Sequence, residues 1–480
     1  MKVDSLPGLE IYPHSVTEAD GITYFLARGP EGKVLGVAGT SRGFTGTSRA
    51  GVLICPLTSE NAAVLRERLP WLKPQPLGLS LSAGCGDRLG LATPGHIRAL
   101  RAVGGIAPVL AQQSIRENAR TGRTPQQVLD DAAWGVFQEG WREPWGADAD
   151  HLKRVEDVEL CVAAGYTFYT LDPGDHVDNA AHTDALAVLR DKLALLPWDR
   201  LEDTPADLQA RYLGREFTAG SMSLSFDEET LLRAACKYGN ALAHVALLSR
   251  RLQQLMEGRA FDLEVSVDET ETPTSAEEHF YISGELQRLG VHWVSLAPRF
   301  VGRFEKGVDY IGDLAAFETE VRRHVDVMRH FGGYKLSLHS GSDKFSIYPI
   351  VARYAGDLVH LKTAGTSYLE GLRAVAGVAP VLFRKILALA FDRYPVERAS
   401  YHVSADPESA PSPERLEDVE LPVLLDQFDI RQMLHVTYGS ALEHYGEDLM
   451  RVLDRNEEAY YAALEAHFTR HFAPFRQPGA

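Results

Sequence analysis

FDLEVSVDETETPTS, residues 261–275, alternates strictly between apolar and polar side chains over its first eight positions. The apolar positions are Phe261, Leu263, Val265 and Val267, and the polar positions are Asp262, Glu264, Ser266 and Asp268. A period of two residues predicts a β-strand whose two faces carry different side chains. On an ordinary half-buried strand the acidic face would point to water, so the direction of this face decides the fold.

Two other stretches, YKLSLHSGSDK (334–344) and DLVHLKTAG (357–365), alternate in the same way. Their polar faces carry Lys335, Ser337 and His339 in the first stretch and His360 and Lys362 in the second. In a parallel barrel that is wrapped by helices, apolar side chains are needed on the outside and polar side chains converge inside. The three ionisable faces therefore predict a barrel with a polar interior.

From residue 76 the chain repeats a short strand, a polar loop and a helical stretch. The candidate strands are LGLSLSA (77–83), IAPVLAQQ (106–113), AWGVFQE (133–139), YTFYTLD (166–172), DLEVSVD (262–268), HWVSLAP (292–298), YKLSLHS (334–340) and DLVHLKT (357–363). Eight strands with intervening helices are the number that a (β/α)8 barrel requires. The predicted fold class is therefore α/β, with a (β/α)8 TIM-like barrel.

The predicted barrel has additions on both sides. Residues 1–75 are expected to form a small N-terminal α/β unit, and residues 76–365 the catalytic barrel. A helical insertion is expected at about 178–260, after the fourth strand, because this segment is rich in Leu, Ala and Arg. Residues 366–480 are expected to form a helical C-terminal extension packed on the barrel.

The composition excludes several classes of partner. The chain has 480 residues and a formal net charge of -17, which argues against nucleic acid or an anionic membrane as the main partner. It has four cysteines without a CxxC pair and lacks both a signal peptide and a long apolar stretch. We therefore expect a cytoplasmic protein that acts on a small molecule; the sequence leaves a homo-oligomer open.

Candidate site residues follow the strands, because the ends of the strands form the active face of such barrels. GCGDRLG contains Asp87 and Arg88, which form either a local turn or part of a site. Gln113, at the end of the second strand, suits the recognition of hydroxyl or carboxylate groups. GADADHLKR, expected after the third strand, contains Asp150 and His151, either as a helix N-terminus or as a base next to a metal ligand.

Glu264 lies inside a strand, where a carboxyl group either has a raised pKa or is held by a cation. His339 and His360, on neighbouring strands facing the same interior, are candidate ligands of that cation. Nitrogen and oxygen donors suit Zn, Mn, Co, Ni or Fe. Since HExxH and a cysteine tetrad are missing, we expect an open catalytic site for a divalent cation.

Several of these stretches resemble the bacterial tagaturonate epimerase family over about residues 75–440. The similar stretches are GDRLGLATPGHIRAL, VLAQQSIREN, TGRTPQQVLDDAAWGVFQEG, GADADHLKR, LEVSVDETETPTS, YKLSLHSGSDKFSIYP, HLKTAGTSYLE and HVTYGS. The resemblance implies an isomerase that interconverts tagaturonate and fructuronate and uses a divalent cation.

The resemblance also implies roles for individual residues. The proton acceptor of the family falls on Asp150, its proton donor on Glu264, and two metal-binding histidines on His151 and His339. The third ligand is expected to be His360 or Asp268, from the strand pattern alone.

The expected reaction is deprotonation and reprotonation of the carbon next to the ketone, by an acid and a base with a cation that polarises the carbonyl. The substrate needs cationic partners for its carboxylate and polar partners for its hydroxyls. The candidates are Arg88, Arg299, Lys344 and Lys362 for the carboxylate, with Asp87, Gln113, Asp268 and Ser340 as further substrate-binding residues.

Two alternatives stay open at this point. A metal-dependent aldolase, or another isomerase of a related keto sugar acid, would use nearly the same residues. A non-catalytic sugar-acid sensor would use the barrel only for binding.

Overall fold

The computed structural model describes residues 6–411 and 416–476. Positions 1–5 of the predicted N-terminal unit lie outside these residues. So do positions 412–415 and 477–480 of the predicted C-terminal extension.

The N-terminal segment forms an antiparallel sheet followed by one helix. Its strands are β1 (Glu10–Ile11), β2 (Thr17–Ala19), β3 (Ile22–Gly29), β4 (Gly32–Ala38), β5 (Thr47–Arg49) and β6 (Val52–Pro56), and the helix is α1 (Ser59–Arg68). Leu6, Phe25, Ala27 and Val52 form a small core against this sheet. Strands and a helix are thus present where the sequence predicts an α/β unit.

Eight parallel strands close into a barrel, which confirms the predicted fold class. The barrel strands are β7 (Ser82–Gly84), β8 (Ala107–Ser114), β9 (Gly146–Leu152), β10 (Phe168–Leu171), β13 (Asp262–Ser266), β14 (Ser295–Ala297), β15 (Lys335–Leu338) and β16 (Val359–Lys362). A separate two-stranded hairpin consists of β11 (Glu216–Ala219) and β12 (Met222–Ser225). In the barrel the strands follow one another in chain order, and β16 pairs with β7 to close it.

Helices alternate with the barrel strands and continue beyond the last of them. They are α2 (Thr93–Val103), α3 (Ile115–Thr121), α4 (Pro125–Glu139), α5 (Val155–Ala164), α6 (Leu186–Ala194), α7 (Trp198–Leu201), α8 (Pro205–Tyr212), α9 (Glu228–Met256), α10 (Ala276–Arg288), α11 (Leu314–His330), α12 (Tyr348–Ala355), α13 (Thr366–Val378), α14 (Pro380–Glu397), α15 (Phe428–Val436), α16 (Tyr438–Arg455) and α17 (Glu457–Phe472). None of these helices combines the length and the apolar character that crossing a bilayer requires.

The described chain forms two compact units. The first contains the residues up to Gln75, Cys85–Ala147 and Ala364–Ala473, and in it α17 packs against α2 and α13. The second contains Pro76–Gly84, Asp148–Thr363 and the described residues from Pro474 onward. The three-segment division expected from the sequence stays a prediction.

The third strand is the one element of the barrel that the sequence analysis placed wrongly. AWGVFQE (133–139) belongs to α4, which begins after a capping box between Thr124 and Gln127 and ends at Gly140 in the left-handed conformation. All seven residues are buried, so the segment shows no amphipathic period, and a short apolar run of this kind fits a buried strand equally well. The third strand is instead GADADHL, whose alanines and aspartates have low strand propensity.

The segment between β10 and β13 is mostly helical, as predicted, but it also contains the hairpin β11–β12. Its last helix, α9, packs against α5 and α10 and so takes the place of the helix that connects the fourth and fifth barrel strands. The range of 178–260 for the insertion stays a prediction.

The N-cap of α4 gives a test of this correction. Replacing Thr124 with Ala removes the hydroxyl that accepts the backbone N–H of Gln127 at 3.2 Å, so we expect a loss of about 1 kcal/mol in the free energy of unfolding by urea. Thr124→Ser keeps the oxygen and should lose much less. Thr319→Ala, at an exposed position inside α11, serves as a control with little expected change. Equal losses for the Ser and Ala variants at position 124 would contradict the capping role.

Candidate active site

The acidic face of FDLEVSVD points into the interior of the barrel. Glu264, on β13, is completely buried, and its Oε1 lies 2.6 Å from Nε2 of His339 and 2.9 Å from Nζ of Lys362. Both partners come from the other alternating stretches, on β16 and directly after β15. The polar faces of these strands therefore converge, as the sequence predicts, because the apolar faces of the strands are used on the outside.

A β-bulge in β9 brings two consecutive residues to the same place. In β9 and β10 the pairing runs through Asp148 and Ala149, then shifts before Leu152, so that Asp150 and His151 share one position of the partner strand. His151 has φ of 53°, a left-handed conformation that is uncommon for residues other than glycine. Strain of this kind concentrates at functional sites. Adjacent side chains on a regular strand point to opposite faces, so the bulge is needed to bring these two residues to the same place.

Two histidines stand next to each other and are held by carboxylates. Nδ1 of His151 lies 3.0 Å from Oδ2 of Asp172, and the rings of His151 and His339 lie 4.9 Å apart between centroids. His339 has Glu264 at its Nε2 and Oδ1 of Asp268 at 3.1 Å from its Nδ1. The contact with Asp172 fixes the orientation of His151 and directs its Nε2 toward Asp150, 3.8 Å away.

His151, Asp268 and His339 each offer one ligand atom, and these atoms lie within 4.8 Å of one another. Two imidazoles and one carboxylate suit a divalent transition metal with open positions for substrate. A carboxylate on the second nitrogen of a ligating histidine, as Asp172 provides for His151, is the usual outer contact in such sites. In addition, Oε2 of Glu264 is buried and has no hydrogen-bond partner among the described residues. The nitrogen and oxygen atoms of these side chains are therefore suitable ligands for a cation.

His360, the other candidate for the third ligand, lies deeper in the barrel. It precedes Lys362 by two residues on β16, and its Nδ1 is 2.9 Å from Oγ of Ser82. Its ring packs edge-on against Phe168, with 5.1 Å between centroids. It is absent from the group of ligand atoms described above, so the geometry favours Asp268 over His360.

Opposite charges shift the pKa values of the site strongly. Burial by itself would raise the pKa of Asp150, but Lys362, His151 and His339 outweigh it and lower that pKa. Glu264 behaves similarly: burial opposes ionisation, and Lys362 and His339 hold its pKa well below the usual value. Burial would lower the pKa of both imidazoles, yet Asp150 and Asp172 raise that of His151 to about 10, and Asp268 and Glu264 raise that of His339 to about 9. These neighbours therefore favour the ionised form of both carboxylates and the protonated form of both imidazoles.

Among the predicted substrate-binding residues of the second unit, most already have protein partners. Nζ of Lys344 donates to the backbone carbonyls of Glu305 at 2.8 Å and Ser342 at 3.0 Å, and burial lowers its pKa to about 7. Arg299 donates through Nη1 to the carbonyl of Thr270. These hydrogen bonds hold loops together, and the donor atoms that form them are not available to a ligand.

Ser340, another predicted residue of this unit, directly follows His339. Its Oγ accepts a hydrogen bond from Lys306 at 2.6 Å, and its φ of 48° is left-handed. It is a second strained position beside a candidate metal ligand.

The predicted residues of the first unit are also engaged there. The carboxylate of Asp87 accepts backbone N–H bonds from Leu89, Gly90 and Ala92 at 2.7–3.0 Å, which supports the interpretation as a turn. Arg88 forms an ion pair with Glu117 at 2.8 Å and stacks on the ring of Tyr438, 3.8 Å from its centroid. Gln113 donates to Thr121 at 2.9 Å and accepts from Arg123 at 3.2 Å.

Three further residues lie at the site. Asp148 and Thr170 lie next to Lys362, and Asp172 orients His151. Asp148 and Asp150 share the polar face of GADADHL, so its alternation was the available signal. This alternation was overlooked because the segment was interpreted as a loop that follows another strand.

Comparison with known proteins places the chain among sugar-acid epimerases. A family model described as tagaturonate epimerase matches residues 12–475. A tagaturonate/fructuronate epimerase from Thermotoga maritima is 46% identical over 473 residues, which cover 97% of this chain and 96% of the relative.

Solved structures agree. A glycerol complex of the fructuronate-tagaturonate epimerase from Cohnella laeviribosi superposes with a TM-score of 0.93 at 39% identity, covering 97% of this chain and 96% of that one. The native crystal structure of the same enzyme has a TM-score of 0.93 at 38% identity, with coverage of 98% and 97%. Matches of this extent in sequence and fold show that the chain belongs to the tagaturonate epimerase family and is an isomerase.

Proposed function

We propose that this protein interconverts D-tagaturonate and D-fructuronate in the cytoplasm and that it requires a divalent cation, which is Zn, Mn, Co, Ni or Fe. The observation that carries the proposal is the group of His151, Asp268 and His339, whose ligand atoms lie within 4.8 Å of one another beside the buried Glu264. The four cysteines, all buried free thiols, suit a reducing compartment.

His151, Asp268 and His339 would hold the cation through two nitrogens and one oxygen. When bound, it would act as a Lewis acid that polarises the ketone of the substrate. The carboxylate of Asp172 keeps His151 in place for this role, because it occupies Nδ1 and leaves Nε2 as the ligand atom.

The position of the inverted carbon changes the mechanism expected from the sequence. Tagatose and fructose skeletons differ at C4, whereas the ketone is at C2, so the inverted carbon is not next to the ketone. The hydrogen on C4 receives no direct acidification from that carbonyl. The hypothesis of deprotonation beside the ketone is therefore wrong for this pair of sugars, and bond cleavage between C3 and C4 becomes the better route.

In that route, a base removes the proton of the C4 hydroxyl, and C4 becomes an aldehyde as the C3–C4 bond breaks. The electron pair of this bond passes to the C2 carbonyl and gives an enediolate of C1–C3. The aldehyde then turns its other face to C3, the bond forms again, and an acid returns one proton to the C4 oxygen. Atoms and charge balance, and no redox cofactor is needed.

Two acid-base groups are required because the C4 hydroxyl points in different directions in the two epimers. Asp150 and Glu264 come from different strands, β9 and β13, and both are buried in the barrel. We assign Asp150 as the proton acceptor and, once its carboxylate has taken up a proton, Glu264 as the proton donor in one direction, with exchanged roles in the other.

Arg88, within the first unit, stays a predicted residue for binding a carboxylate group. Its Nε and Nη2 contact Glu117 at 3.0 and 2.8 Å, whereas its Nη1 is buried without a hydrogen-bond partner among the described residues. A buried guanidinium nitrogen in this state favours a carboxylate oxygen, because an unpaired buried donor is costly.

The activity and the route are tested together by incubating the enzyme, a divalent cation and tagaturonate in D2O and following the sugars by NMR. We expect fructuronate to form without deuterium at C3 or C4, because the bond-cleavage route exchanges no carbon-bound hydrogen with solvent. Deuterium at C4 would reject this route in favour of direct deprotonation. Accumulation of dihydroxyacetone and tartronate semialdehyde would identify an aldolase, and a lack of turnover with every cation would favour a sensor.

Removal of the acid-base groups is expected to slow turnover with bound substrate. Glu264→Gln and Asp150→Asn should each lower kcat by about 10² or more, since general acid-base groups contribute at least that factor. Steady-state kinetics in both directions measures the effect. Asp175→Asn, at an exposed carboxylate that pairs with Lys153 at 2.9 Å, is the matched control and should keep the wild-type rate. An undiminished kcat in Glu264→Gln would refute its role.

The ligand set is tested by metal analysis of purified variants. His339→Ala and Asp268→Asn remove ligand atoms and should weaken cation binding at least about tenfold, a loss seen even for outer contacts of metal sites. His360→Ala, deeper in the barrel, should retain the cation. Retention of the cation by His339→Ala, or its loss only from His360→Ala, would show that the wrong histidine has been assigned as a ligand.

A further inference from the structure

Lys362 ends in a cage of four oxygen atoms inside the second unit. Its side chain is 4% exposed. The oxygens around Nζ are Oγ1 of Thr170 at 2.6 Å, Oδ1 of Asp150 at 2.8 Å, Oδ2 of Asp148 at 2.9 Å and Oε1 of Glu264 at 2.9 Å. These oxygens come from β9, β10 and β13, and the lysine from β16, so the cage joins four barrel strands.

The cage contains more negative than positive charge. Three buried carboxylates face a single ammonium group, and burying a charge is expensive unless it is paired. Thr170 offsets part of this cost, because its hydroxyl donates a hydrogen bond to Oδ1 of Asp148 at 2.9 Å while it accepts one from Lys362. Removing the ammonium would leave three carboxylates and a hydroxyl around one empty position, an all-oxygen set that hard divalent cations bind.

The cage also lies directly beside the proposed cation site. Glu264 touches both Lys362 and His339 through the same oxygen, Oε1. Oδ1 of Asp150 touches Lys362 and lies 3.8 Å from Nε2 of His151. A cation that entered the cage would take both proposed acid-base carboxylates as ligands and would block their proton transfer.

We infer that Lys362 is a built-in cation that fills this oxygen cage, holds Asp150 and Glu264 in place, and so confines the divalent cation to His151, Asp268 and His339. Lys362 is a positioning residue in this proposal, which differs from its predicted role in binding the carboxylate of the substrate. The inference rests on the proposed function for the identity of the acid-base pair.

Lys335 provides a matched control within the same unit. It is also a buried barrel lysine, and its Nζ lies 5.7 Å from the centroid of Phe168, compared with 5.8 Å for Lys362. Its Nζ donates instead to Oγ of Ser82 at 2.9 Å. Both lysines are therefore buried near Phe168, and they differ in their contact with the carboxylates.

The experiment compares Lys362→Met with Lys335→Met by titration of the metal-stripped proteins with Mn²⁺, with bound metal counted per chain. We expect one cation per chain in wild type and in Lys335→Met, and a second, oxygen-ligated cation in Lys362→Met. Electron paramagnetic resonance of the fully loaded protein should detect the two Mn²⁺ ions as a coupled pair. One cation per chain in a folded Lys362→Met protein would overturn the inference.

Kinetics adds a second readout. In Lys362→Met we expect kcat to fall by about 10², as a misplacement of catalytic groups by 1 Å can cause, while KM changes by less than about threefold. Lys335→Met should keep both constants near wild type. A rise in KM with unchanged kcat would indicate a substrate-binding role for Lys362 and would overturn the positioning role.

A further variant guards against loss of folding. Lys362→Met/Asp148→Asn removes one positive and one negative charge, so the net charge of the cage is unchanged, and Asp150, Glu264 and Thr170 remain. A second Mn²⁺ with weaker affinity is expected in this variant, and a single Mn²⁺ would again contradict the inference. Because metal counting needs no turnover, a wild-type protein inactive on tagaturonate would refute the proposed function and leave this result interpretable.

Discussion

The ion pairs between Lys362 and three buried carboxylates are the interaction on which the rest of the site depends. Asp148, Asp150 and Glu264 come from strands that need polar side chains inside the barrel, because their apolar faces are used outside. Burying three carboxylates in one place is unfavourable unless positive charge balances them. The ammonium group, together with the imidazoles of His151 and His339, supplies this charge and lowers the pKa of Asp150 and that of Glu264.

The bulge at Asp150 and His151 turns this charged interior into a site with two kinds of group. On a regular strand these neighbours would point in opposite directions, and a candidate base and a candidate metal ligand would be separated. The left-handed backbone of His151 costs free energy, which the surrounding barrel and the contact with Asp172 offset. The same carboxylates can then serve proton transfer, while the imidazoles remain available to a cation.

Much of the fold was accessible from sequence patterns, and the exceptions have physical causes. Seven of the eight candidate strands overlap a barrel strand, because alternation over Val, Leu and Ile is a strong signal. AWGVFQE was misinterpreted since a fully buried helix shows no amphipathic period. GADADHL was missed since Ala and Asp are poor strand formers, although its alternating aspartates line the site. Asp268 and His360 could not be ranked as ligands, because their depth in the barrel depends on strand register.

The sequence by itself determined the residue types of the site, the alternation of most barrel strands with helices, and the resemblance to tagaturonate epimerases. Each of these features depends on the order of residues within short stretches of the chain, and the sequence shows that order directly. The tertiary structure decided that the acidic face points inward, that a bulge brings Asp150 and His151 together, and that Lys362 forms ion pairs with the carboxylates. These features depend on barrel closure and on register between strands far apart in sequence, and no local pattern specifies distances of that kind.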